Sequence, residues 1–186
     1  MTELVVAALT VAVVIYGVSA AAKLRSRQAY RAFRAGLAAT TLVGRPLTGL
    51  VAVALAGAEA VVAALCAAAL IMALSSGPGA VAGPALGGAA ALAAMLTAGV
   101  AVSVHRGVAE PCACFGSRGR QPLSGVHVTR NACLLVILAA GAIGTHAAHW
   151  PGRPASAALA ATAGGVVAVL LSRLDDLTAL FGMAAR

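Results

Sequence analysis

Charge and aromatic rings are both scarce in this chain: 10% of its 186 residues are charged and 3% are aromatic. The shortage of rings argues against base stacking and against an aromatic ligand cage. With 61% hydrophobic residues, the chain carries more apolar surface than one soluble core of this length can hide, so a membrane is its expected solvent. Lysine is nearly missing too, Lys23 standing alone beside twelve arginines. The net charge of +8 does not indicate nucleic acid, because the basic residues fall at the ends of apolar runs and not on one soluble face. No internal repeat, soluble domain or long linker is visible. The four cysteines do not form a disulfide framework by position, since Cys66 and Cys133 lie inside apolar runs while Cys112 and Cys114 lie in a polar segment.

Apolar runs at 4–22, 47–73, 86–104, 132–150 and 155–171 approach the roughly 20 residues that a helix needs to cross a bilayer. They lack strand-like alternation, and backbone groups in hydrocarbon must be satisfied internally. The expected fold is therefore all-α: a polytopic bundle of four to five transmembrane helices in one domain over 1–186, in the cytoplasmic membrane of a bacterium. The last run is the weakest, and Gly164 with Gly165 suits a tilted or an interior helix. The first run resembles a signal peptide but has Glu3 where a positive region belongs, so it is read as a retained span. Between the first two spans, Tyr30, Phe33 and Leu37 recur at helical spacing beside Arg27, Arg31 and Arg34. That pattern predicts a short helix in the headgroup region, the alternative being a solvated basic loop. Arginines crowd the first and third connections and the tail, so the positive-inside rule puts the amino terminus outside and residues 105–131 at the cytoplasmic face.

The chemistry is concentrated in Pro111-Cys112-Ala113-Cys114-Phe115-Gly116. Pro111 and Gly116 supply turn chemistry, and a ring closed by two cysteines one residue apart is strained and readily reduced. Arg106, Arg118 and Arg120 surround the pair in sequence and favour the thiolate. Three readings stay open: an exchanging redox pair, a soft-metal site completed by His105 and His127, and chemically neutral thiols. Cys133, one turn into the fourth run, is a candidate resolving thiol, its bland alternative being a small buried hydrophobe. Glu59 stands in the middle of the second run, where an ionised carboxylate costs about 2.5–3.5 kcal/mol on insertion scales. Lys23, at the end of the first run, is its expected basic partner. Glu59 suits a proton path beside thiol chemistry or, equally, a structural hydrogen bond.

Four features in this order resemble the methylamine utilisation protein MauE family, within the DoxX-like group of small membrane proteins. They are Ala22-Lys23 closing the first span, Gly57-Ala58-Glu59, the stretch from Arg106-Gly107 to Cys112-Ala113-Cys114-Phe115-Gly116, and Arg130-Asn131 opening the next span. The likeness covers about Leu4 to Gly144, and its specific part is C-x-C-F-G, with Ala113 where the family commonly has Gly. The resemblance implies a membrane protein that supports maturation of a client enzyme through disulfide formation or transfer, beside a thioredoxin-like partner. On that basis Cys112 and Cys114 exchange, with Lys23 and Glu59 as intramembrane support. It also implies thiols facing an oxidising compartment, opposite to the face the charges indicate. A quinone is a candidate electron carrier, although no motif for one is visible, and lipids are the remaining partners. A non-catalytic scaffold subunit is the main rival reading.

Overall fold

The computed structural model describes residues 1–40, 42–77, 79–108, 125–147 and 154–174. Its elements are α1 (Thr2–Leu24), α2 (Arg27–Ala39), α3 (Thr48–Ser76), α4 (Ala82–His105), α5 (Gly125–Gly144) running into a 3-10 turn at Thr145–Ala147, and α6 (Pro154–Ser172). No strand occurs among the described residues. Five of these helices, all but α2, are long and apolar enough to cross a membrane. The chain is thus an all-α, multi-pass membrane protein, at the upper end of the four to five spans expected.

The short helix expected after the first span is α2. Ser26 caps it by accepting a hydrogen bond from the Ala29 amide at 3.0 Å, satisfying a donor that the first turn leaves free. Phe33 is buried and Arg27, Arg31 and Arg34 are exposed. One face is therefore apolar and the other cationic, as an interfacial helix requires.

The first span, α1, is the axis of the bundle. Within its most apolar window 56% of residues are buried, against at most 33% in any other span, and it packs on α3, α5 and α6. Val5, Leu9, Ala12 and Tyr16 form its core face, and the Tyr16 hydroxyl donates to the Ala89 carbonyl of α4 at 2.7 Å. Helices in lipid gain little from hiding apolar surface, so close approach through small residues supplies much of their association. Two glycines provide it. A Cβ on Gly141 of α5 would overlap the Ala8 Cβ, and one on Gly164 of α6 would lie 2.5 Å from the Ala7 carbonyl oxygen.

An interior position for α6 does not hold. Only 17% of its window is buried, so it lies at the edge of the bundle, brought onto α1 at Gly164, while Gly165 meets nothing within 4 Å. Gly164→Val is expected to push α6 off α1 and destabilise the bundle by about 1–3 kcal/mol, as overpacking does, whereas Gly165→Val changes little. Thermal unfolding of the two variants in the same detergent checks the difference.

The fourth span also departs from its expected range. The helix begins at Gly125 and not near 132, because His127, Arg130, Asn131 and Leu134 follow helical spacing and turn inward, all buried. Residues 148–153, Trp150 among them, lie outside the described residues.

Five crossings alternate in direction. The α1–α3 connection with α2, the end of α4, the start of α5 and the end of α6 therefore share one membrane face. Exposed Arg25, Arg27, Arg31, Arg34, Arg45, Arg106 and Arg173 all belong to that face.

Candidate functional site

Ser19 and Lys23 sit four residues apart on α1 and so point to the same side of the helix. The Lys23 ammonium donates to the Ser19 hydroxyl at 2.7 Å and to Glu59 of α3 at 2.7 Å (Oε1) and 2.5 Å (Oε2). Ser19 donates in turn to Glu59 Oε2 at 3.0 Å. All three are enclosed, with relative exposures of 0% for Ser19, 2% for Lys23 and 1% for Glu59. Two opposite charges in so dry a place are tolerated only when paired and hydrogen-bonded, a condition this triad meets.

Lys23 is one residue from the end of α1, whereas Glu59 lies eleven residues into α3. At ~1.5 Å per residue, α3 extends roughly 16 Å beyond the level of Glu59. The step this leaves above α1 is roofed by α2. Phe33 sets its ring 4.8 Å from the Lys23 nitrogen, a cation–π distance that ties the interfacial helix to the buried pair.

Below α2 a cavity of about 210 Å³ opens between α1, α3 and α4. Lys23 and Glu59 reach its lining, together with Phe33 and Leu37 of α2 and Gly99 and Ser103 of α4. Ser103 is buried and donates to the Gly99 carbonyl at 2.9 Å, leaving its oxygen as an acceptor on that wall.

A second polar face belongs to α5, where His127, Arg130 and Asn131 are buried near the same membrane face. Asn131 Oδ1 has no hydrogen-bond partner among the described residues. Arg130 and Asn131 line a small gap with Ile15 of α1 and Leu171 and Ser172 of α6. Each is a polar residue at three- or four-residue spacing inside a helical run, a signal that reads as an inward face. Ser19 leaves a similar trace only through its spacing from Lys23.

Of the remaining sequence-predicted site residues, Cys112, Cys114, Arg118 and Arg120 lie outside the described residues. Arg106 and His105 are exposed at the end of α4. Cys133 is exposed on α5, on the surface away from the core. Cys66 is buried, its thiol 3.6 Å from the Ala85 carbonyl of α4. His105 and His127, the histidines of the metal reading, stand near the two ends of the α4–α5 connection. No group of three or more His, Cys, Asp or Glu side chains with metal-binding geometry forms among the described residues.

A family model described as Methylamine utilisation protein MauE matches residues 1–144, which run from α1 to the end of α5 and include Lys23, Glu59, Cys112 and Cys114. No curated protein and no solved structure matches the chain.

Proposed function

This chain belongs to the methylamine utilisation protein MauE family, and on that premise we propose that it is a membrane thiol–disulfide exchange protein whose Cys112–Cys114 pair works with a thioredoxin-like partner in the maturation of a client enzyme. The observation that carries the reading is the position of the pair in the chain. In sequence it lies between α4 and α5, and the end of α4 and the start of α5 share a membrane face with the α1–α3 connection, α2 and the exposed arginines.

The exchange balances as follows. A thiolate of one chain attacks a sulfur of the other chain's disulfide, giving a mixed disulfide and releasing one thiolate. The second thiolate of the attacking pair then attacks its neighbour's sulfur in the mixed disulfide and expels the other chain's remaining sulfur as a thiolate, so a dithiol and a disulfide have traded places with two electrons moved. Arg106, Arg118 and Arg120 favour the thiolate form that begins the sequence. Lys23, Ser19 and Glu59 act as positioning residues, holding the end of α1 to α3. The positive-inside distribution puts the exchanging face in the cytoplasm, where thiols are kept reduced, so in that orientation the pair relays reducing equivalents. The family name refers to methylamine utilisation, but no residue of this chain specifies an amine, so the client is defined by its need for disulfide chemistry.

Single substitutions Cys112→Ser and Cys114→Ser test the proposal. The variant that retains the attacking sulfur is expected to accumulate a mixed disulfide with the thioredoxin-like partner, visible as a reductant-sensitive band on a non-reducing gel. The double variant gives none. Failure of both single variants to trap any partner counts against exchange and favours a scaffold.

A further inference from the structure

The cavity under α2 has a direction. It is lined on α3 from Val51 through Leu55 to Glu59, and on α4 from Ser103 through Gly99 to Met95. Each series covers roughly 12 Å of helix at ~1.5 Å per residue. Because α3 enters the membrane at the face where α4 leaves it, Val51 and Ser103 mark the end near that face and Glu59 and Met95 the deep end. The space of about 210 Å³ is thus a slot running along the helices, too slight for a further helix of about 10–12 Å diameter. Its walls are almost wholly apolar, and Lys23 and Glu59 spend their charges on each other and on Ser19. Met95, 53% exposed, opens the deep end to the bilayer.

We propose that this slot holds one acyl chain of an anionic phospholipid, whose phosphate is bound by Arg45 and Arg106 at the membrane face. Arg106 follows Ser103 by three residues and Gly99 by seven, so it continues the slot-facing stripe of α4 past the end of the slot. Arg45 follows Leu42 and Val43, which line the slot from the connection between α2 and α3. Leu42 closes on α4 there, 3.9 Å from where a Cβ on Gly99 would stand. Both arginines are exposed. Guanidinium groups bind phosphate oxygens bidentately, and basic pockets beside transmembrane helices suit anionic head groups.

Shape and charge complementarity together select this occupant. A neutral apolar molecule makes no use of the arginines, and a soluble anion makes none of the slot. The second chain of the phospholipid stays in the bilayer beside Met95. A hydrocarbon chain gains little by leaving lipid for an apolar wall, so the head group sets the preference, while the chain restores dispersion contacts that an empty slot would lack. Hydrocarbon at the deep end also keeps water from Lys23 and Glu59, which reach the lining there. The site is independent of thiol exchange.

The test uses the purified full-length chain, stripped of lipid in mild detergent and titrated with dioleoyl phosphatidylglycerol or dioleoyl phosphatidylcholine, the retained lipid being counted by native mass spectrometry. One phosphatidylglycerol per chain is expected, bound about ten-fold or more tightly than phosphatidylcholine. Gly99→Leu puts a side chain into the slot without striking backbone and should weaken retention about ten-fold, whereas Gly88→Leu, on the same helix with nothing within 4 Å of its Cβ, should leave it unchanged. Arg45→Gln combined with Arg106→Gln should erase the preference between the two lipids. Both positions are exposed, so this variant keeps the core and decides the matter if Gly99→Leu does not unfold cooperatively. Five results would overturn the proposal: no retained lipid, equal binding of the two lipids by the wild type, unchanged binding in folded Gly99→Leu protein, a preference that survives the arginine changes, or displacement of phosphatidylglycerol by oleic acid at equal concentration. Thioredoxin enters none of these measurements, so failure of thiol exchange leaves the lipid site standing, and the reverse result removes the lipid site alone.

Discussion

Glu59→Leu is expected to be among the most damaging single changes in this protein, costing about 3–5 kcal/mol, because it leaves the Lys23 ammonium buried without its counter-charge. Lys23 is only 2% exposed and is roofed by Phe33. The same substitution combined with Lys23→Met should recover most of the loss, since two apolar side chains of similar volume fill the space without a charge to desolvate. The resulting double-mutant cycle has a large coupling term, whereas independent residues would give additive losses. Unfolding in mixed micelles with increasing denaturing detergent measures it. The double variant is also expected to fold without supporting client maturation. Stability and function then separate, as they should if client maturation needs the polar link that positions the end of α1 on α3 and not merely a filled space between them.

The second large effect concerns the thiols. Cys112→Ser combined with Cys114→Ser is expected to reduce client maturation to the level seen without the protein, while the amount of protein in the membrane stays the same. The core formed by Val5, Leu9, Tyr16, Leu86 and Leu138 is assembled within α1, α4 and α5. Loss of maturation without loss of protein is what an exchanging pair predicts, because a serine hydroxyl can neither attack a disulfide effectively nor form one. Cys133→Ser should have little effect, its side chain being exposed on the outer surface of α5.

Much of this architecture is legible in the residues themselves. Long apolar runs identify the spans, since a bilayer imposes a minimum length that few other environments demand. Phe33 with Arg27, Arg31 and Arg34 reveals α2 because an interfacial helix must be apolar on one side and charged on the other. Lys23 and Glu59 can be paired from sequence because an acid in hydrocarbon requires a partner and Lys23 ends the preceding span. The start of α5 is concealed by the same reasoning: His127, Arg130 and Asn131 lower the apolarity of the run, although they are buried in the helix. Nor does composition distinguish Gly164, pressed on Ala7, from Gly165, which meets nothing. Only the crossing of two helices decides that. The cavity is likewise a product of packing, since Phe33, Gly99 and Glu59 come from three helices and share no local pattern.

Equilibration of the membrane-embedded protein with known ratios of reduced and oxidised thioredoxin, followed by alkylation with a mass-adding thiol reagent, tests thiol exchange most directly. Cys112 and Cys114 should pass together from two alkylated sites to none in a single two-electron step as the oxidised fraction rises, and return when it falls. Two sulfurs that stay open to the reagent at every ratio, or that respond independently of each other, would contradict it.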